Sequence, residues 1–258
     1  MTIATAAKVP RQARPVRRQW LRLGAATASP AAFDPAMLGG LPEPARRWLA
    51  HAIVPGTPLW QTVELSMRGH IRIGKWRPFT ATQVLAPPHG YIWAATARMA
   101  GLPLTGYDRL TPGTGEMRWR LLGLIPVVTA TGADITRSAC GRLAAEIALI
   151  PTAFGHAAWA PGAQRGTTTA TWRFGDDTET VRLSVGGDGR LTEIMVDRWG
   201  NPGNAPFGRY PFGVSVDAQA AFSGITIPAQ FSAGWWWGTD RQRDGEFLRA
   251  RITSAIFR

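Results

Sequence analysis

The sequence predicts an α+β, mostly β protein: one large curved antiparallel sheet, an open or half barrel, with a short N-terminal helix and a longer central helix. Three observations predict it. From residue 63 onward apolar and polar residues alternate with a period of two, the pattern of strands that bury one face. Turn-forming Gly and Pro clusters separate these runs at short intervals, with no strand–helix–strand rhythm and no fixed-period repeat. Only two segments switch to helical spacing. A chain of 258 residues suits a single β-rich unit with a sizeable core. The reading sets residues 1–40 apart as a basic, partly disordered leader and takes 41–258 as a single antiparallel domain.

Leu41 to Ile53 reads as the short helix, with prolines in its first turn and Leu41, Ala45, Trp48, Leu49 and Ala52 on one face. Val63, Leu65 and Met67 then alternate with Glu64, Ser66 and Arg68 as a half-buried strand. Strands follow at Phe79 to Leu85, Gly90 to Arg98, Pro103 to Leu110 and Gly115 to Leu122, divided by Pro87-Pro88, Gly101 and Thr111-Pro112-Gly113. Asp134 to Ile150 breaks the alternation. Asp134 supplies a cap, Ile135, Ala139, Leu143, Ile147 and Ile150 recur at helical spacing, and Pro151 stops the helix. Strands resume at Thr167 to Phe174, Thr178 to Val185 and Leu191 to Arg198, the last two joined by the turn Gly186-Gly187-Asp188-Gly189. Pro211 to Phe222, Ile227 to Trp237 and Glu246 to Phe257 bring the count to about eleven strands. An open barrel of this size has a mouth, and mouths hold ligands.

The net charge of +12 is unevenly placed. Lys8, Arg11, Arg14, Arg17, Arg18 and Arg22 supply half of it from a stretch without a single acid. The remainder fits the ordinary solvated surface of a domain this large. Arg241, Arg243, Arg249, Arg251 and Arg258 are interrupted by Asp240, Asp244 and Glu246, so no basic stripe with interleaved aromatics points to specific nucleic-acid binding. Residues 8–22 are expected at most to touch an anionic membrane surface weakly. Arg17-Arg18 before a stretch rich in alanine looks like a twin-arginine export signal, but Gly24, Thr27 and Ser29 interrupt its apolar part. The reading therefore favours the cytoplasm over export. No apolar run approaches the length of a membrane-spanning helix, and the oligomeric state is left open.

The short segments Leu41-Pro42-Glu43-Pro44-Ala45-Arg46-Arg47-Trp48-Leu49, Gly69-His70-Ile71-Arg72, Trp76-Arg77-Pro78-Phe79-Thr80-Ala81, Tyr91-Ile92-Trp93-Ala94-Ala95 and Gly113-Thr114-Gly115-Glu116-Met117 stand out together, with Leu143-Ala144-Ala145-Glu146, Asp197-Arg198 and Ile227-Pro228 further on. In these the chain resembles an uncharacterised bacterial family of unknown function. The resemblance implies an antiparallel open barrel similar to lipoprotein-carrier domains, and it implies no activity and no catalytic residues. Val214-Ser215-Val216-Asp217 departs from the family's outline, which often has an aromatic and an acid there.

Signatures of phosphate-binding loops, zinc proteases and nucleophile elbows are absent. The four histidines are scattered, and the lone Cys140 sits in a helical stretch where an inert buried thiol is expected. Neither a metal nor a cofactor is called for. Three carboxylates lie inside apolar segments: Asp108, Glu146 and Asp197. Converging, they would make an acid–base site; otherwise they pair with Arg98, Arg109, Arg142 or Arg198 and fix the helix on the sheet. In Asp108-Arg109 and Asp197-Arg198, adjacent strand residues must send one member inward and the other outward. The 12 tryptophans carry the second clue. Trp235 and Trp237 are expected on one strand face, and with Tyr91, Trp93, Trp119 and Trp199 they would form an aromatic wall. The function expected is binding or carrying of an apolar small molecule, a lipid, terpenoid or aromatic, in that mouth. The alternative is a cofactor-independent lyase, isomerase or hydrolase using Asp108, Glu146 or Asp197 on an apolar substrate.

Overall fold

A computed structural model of the chain describes residues 8–99 and 101–258, so the first seven residues of the basic segment lie outside the described residues. Among the described residues, thirteen strands form one antiparallel sheet built from two meanders. The first comprises β1 (Val63–Ile73), β2 (Lys75–Ala86), β3 (Gly90–Met99), β4 (Leu102–Thr111), β5 (Thr114–Leu121) and β6 (Ile125–Thr131). The second comprises β7 (Ala158–Pro161), β8 (Thr167–Phe174), β9 (Asp177–Val185), β10 (Leu191–Gly200), β11 (Gly208–Phe222), β12 (Ile225–Trp235) and β13 (Glu246–Phe257). They join where the first strand pairs with the last, Val63 opposite Phe257 and Leu65 opposite Ala255. The sheet curves without closing, and its edges are β6 and β7.

Those two edges are the strands the alternation did not reveal. Every residue of β6 except Ala130 is exposed, so it has no buried face to print a pattern, and Pro126 interrupts it. The second, β7, is four residues long and ends in Pro161. Proline and short length are how edge strands avoid further pairing. The chain between these edges carries the central helix α3, here numbered after α1 (Arg17–Leu23) and α2 (Glu43–Ala52) and spanning Ala133–Ala145. The helix expected to run to Ile150 tightens at Glu146 into a 3-10 turn, Glu146–Leu149, followed by a second at Pro151–His156. A four-residue turn, α4 (Gln242–Gly245), links β12 to β13. None of the described helices is long and apolar enough to cross a membrane.

The principal core lies on the inner face, between the sheet and α2 and α3. Helix α2 contributes Ala45, Trp48, Leu49 and Ala52, as its spacing predicts, and its Arg47 Nε donates to the Gly186 carbonyl at 2.8 Å. The basic segment is built into the outer face. Ala13, Val16, Trp20 and Leu23 are buried against Val84, Ala86, Ile92, Ala94 and Tyr107, the outward-facing residues of β2, β3 and β4. Arg11, Arg14, Arg17, Arg18 and Arg22 remain exposed along the opposite side. Further along, Phe33 and Leu38 enter the inner core. Residues set apart as a leader thus contribute side chains to both faces.

Candidate functional site

Two glycines allow α3 to lie close on the inner face. A Cβ on Gly115 of β5 would stand 2.7 Å from the Thr136 Cα, and one on Gly141 of α3 would stand 2.9 Å from the Arg198 Cγ. The Gly115 amide instead donates to the Thr136 hydroxyl at 3.0 Å. Beyond this contact the helix and the sheet diverge around a cavity of about 350 Å3, within the range of small-molecule sites. Its apolar wall comes from Met67 and Ile71 on β1, Phe212 and Val214 on β11, Phe231 and Trp235 on β12, and Phe247 and Leu248 on β13. Tyr91 and Trp93 of β3 form the floor near α3.

A polar cluster occupies one side of the cavity. Arg142, one helical turn before Glu146, donates from Nε to the Glu146 carboxylate at 2.8 Å and from Nη1 to Asp108 Oδ2 at 3.1 Å. Trp119 Nε1 donates to the other Asp108 oxygen at 2.8 Å, and Gln83 Nε2 donates to Glu146. The Arg142 guanidinium also lies over the rings of Tyr91 and Trp93, at 4.6 and 5.2 Å. Burial pushes the Asp108 carboxyl above its ordinary range, against the pull of Arg142 and the Trp119 N–H. Tyr91 is driven up by the same loss of water and stays a neutral phenol. Cys140, buried on α3, has its thiol pushed up to about 12 by burial, which makes it a poor nucleophile.

Asp108, Glu146, Tyr91, Trp93 and Trp235 therefore meet at one cavity. Trp119 stands behind Asp108, its ring 5.7 Å from that of Trp93. Trp199 is elsewhere: its N–H bonds Asp134 at 2.9 Å and Arg137 stacks on its ring at the start of α3. Two further expectations need correction. Asp197 does not converge with the other acids; it is exposed, because Ile194, Val196 and Arg198 take the inward positions of β10. Trp237 does not share a face with Trp235. The strand ends at Trp235, and Trp236 adopts a left-handed φ of 59°, which breaks the alternation. Trp237 then turns to the outer side, against Gly213 and with its N–H on Glu193 at 2.8 Å. Substituting Asp197 by Asn is accordingly expected to change stability by less than about 0.5 kcal/mol in urea denaturation; a larger loss would place it back in a network.

The residue sequence reasoning missed is Arg198. The sequence offers it as a partner for an acid, yet it is the inward member of its pair. The signal was present in the parity of Ile194 and Val196. Its Nε donates to the Ser138 carbonyl at 3.1 Å and Nη2 reaches the Ser138 hydroxyl at 3.4 Å. Phe212 and Trp235 flank the guanidinium at 4.9 and 5.0 Å. Among the described residues no group of three His, Cys, Asp or Glu side chains is placed to hold a metal ion.

The chain is similar in structure to a putative outer membrane lipoprotein-sorting protein domain from Vibrio parahaemolyticus, at 7% identity and TM-score 0.43 over 77% of this chain and 86% of that one. A DUF1329 family protein from Desulfovibrio piger is similar at 12% identity and TM-score 0.45, covering 87% of this chain and 94% of the other. A LolA superfamily protein from Nitrosomonas europaea is similar at 10% identity and TM-score 0.44, over 83% and 92% of the two chains. No curated protein matches the chain. The model of one family, described as a family of unknown function (DUF6544), matches residues 31–247, and the chain belongs to that family.

Proposed function

We propose that the protein binds an apolar small molecule between α3 and the inner face of the sheet. The observation that carries the reading is the cavity of about 350 Å3, walled chiefly by aromatic and aliphatic side chains from four strands of the sheet. Burying an apolar ligand there gains about 25 cal/mol per Å2 of surface removed from water, without requiring any protein group to change its protonation state. The acid–base alternative is less well supported. With Asp197 on the outer face, it retains Asp108 and Glu146, and both carboxylates are engaged by Arg142, with Trp119 and Gln83 as further donors.

Tryptophans 93 and 235 border the cavity and serve as reporters. A neutral apolar fluorophore, N-phenyl-1-naphthylamine, is expected to bind saturably and to quench tryptophan emission. Filling the cavity from β12 with Ala233→Phe is expected to weaken that binding at least about tenfold, the equivalent of 1.4 kcal/mol. Absence of saturable binding, or equal binding to the filled variant, overturns the reading.

A further inference from the structure

A guanidinium taken out of water needs a compensating charge and hydrogen-bond acceptors, and two of the three arginines that border the cavity, Arg142 and Arg198, meet that need differently. Arg142 is compensated twice over, by Asp108 and Glu146. Arg198 forms no ion pair among the described residues, and its hydrogen bonds to them go to Ser138 alone, at 3.1 and 3.4 Å. Of its five N–H donors, three have no partner among the described residues, while the residue borders the cavity. Its neighbour Asp197 is on the other face, and the three carboxylates bordering the cavity are paired elsewhere, Asp108 and Glu146 with Arg142 and Glu116 with Arg109 and Arg118. Burial lowers the pKa of Arg198 to about 10, so the group is still a cation at neutral pH.

We propose that Arg198 is the head-group subsite of this cavity, and that the ligand is a single-chain amphiphile whose anionic head, carboxylate or phosphate, takes the free side of the guanidinium. The inference rests on the apolar-ligand reading and names the class of ligand. The fork of an arginine matches two oxygens of such a head, and the flanking Phe212 and Trp235 rings fix its plane. The chain would then run along Met67, Ile71, Phe231, Phe247 and Leu248, the apolar wall of the same cavity.

The test compares laurate, dodecyl phosphate and dodecanol, each below its aggregation concentration, by calorimetry and by quenching of intrinsic tryptophan fluorescence. At least one of the two anions is expected to bind about 10- to 100-fold more tightly than the alcohol, the range of a charged hydrogen-bonded contact. Which anion wins distinguishes a fatty-acid head from a phospholipid-like one. Arg198→Met is expected to bring the anions down to the affinity of dodecanol while leaving dodecanol unchanged, and Arg198→Lys to keep part of the preference. Equal affinity of all three for the wild-type protein overturns the head-group assignment but leaves the apolar site standing. Failure of all three to bind removes both. A preference that survives Arg198→Met in a folded protein also overturns the assignment. Should that variant not fold, the wild-type comparison and the lysine variant decide.

Discussion

Arg142→Met is expected to cost about 3–5 kcal/mol of folding stability at neutral pH, the cost of breaking a buried ion pair by removing one partner. Among the described residues the guanidinium is the single cation in contact with both Asp108 and Glu146, at 3.1 and 2.8 Å, and all three side chains are less than one-fifth exposed. Methionine replaces its volume and none of its charge. The Trp119 and Gln83 donors would remain, but neutral donors do not offset two buried anions. The sign of the pH dependence separates this cause from simple loss of packing. Burial already holds Asp108 above its unfolded value with Arg142 present, and removing a lowering influence raises it further. A carboxyl whose folded pKa exceeds its unfolded one binds more protons when folded, so stability is highest below the unfolded pKa, about 4, and falls as pH rises through the folded value. The deficit of Arg142→Met relative to wild type, measured by urea denaturation, should therefore shrink from pH 7 toward pH 4.5. A deficit independent of pH would mean that packing, not charge, is what the substitution removes. Adding Asp108→Asn and Glu146→Gln should restore much of the loss, since the anions would no longer be present.

The fold was legible wherever one face of an element is buried and the other wet. The alternation located the strands from Val63 to Phe257 apart from β6 and β7, and those two lack the contrast that alternation needs. The same period of two puts the members of Asp108-Arg109 and of Asp197-Arg198 on opposite faces, but only the neighbours of each pair say which member faces inward. That choice follows from register: Arg198 lies in step with Ile194 and Val196, whereas Asp108 pairs across β4 and β5 with Met117. Trp237 went astray because a single positive φ at Trp236 ends the strand, and an aromatic residue gives no warning of that conformation. The cavity itself was beyond reach. Whether tryptophans fill a barrel or line it depends on how closely α3 approaches the sheet, and Gly115 and Gly141, which set that approach, carry no periodic signal.

Trp20→Ala is expected to destabilise the protein by about 3–5 kcal/mol, as for other fully buried tryptophans, although it lies in a segment whose arginines invite reading it as a detachable tail. Trp20 has no exposed surface. It is the centre of a spacing, Ala13, Val16, Trp20 and Leu23, that puts one apolar stripe on a helical segment. That stripe covers Val84, Ile92, Ala94 and Tyr107 on the outer face of the sheet. Side-chain hydrogen bonds hold its two ends: Gln12 Nε2 donates to the Thr96 hydroxyl at 2.7 Å, and Thr62 Oγ1 to the Leu23 carbonyl at 3.0 Å. Three kinds of change divide the contributions. Trp20→Phe should be mild, because the indole N–H has no hydrogen-bond partner and most of the apolar surface is kept. Changing exposed Arg11, Arg14, Arg17, Arg18 and Arg22 to Gln should each alter stability by less than about 0.5 kcal/mol, while reducing any salt-sensitive binding to anionic vesicles. Starting the chain at residue 25 should be the most damaging, since it bares a contiguous apolar patch on the outer face and promotes aggregation. If that shortened protein melts where the full chain does, the segment is a separable leader after all; if it melts lower, the sheet needs its N-terminal residues as a second, outer layer.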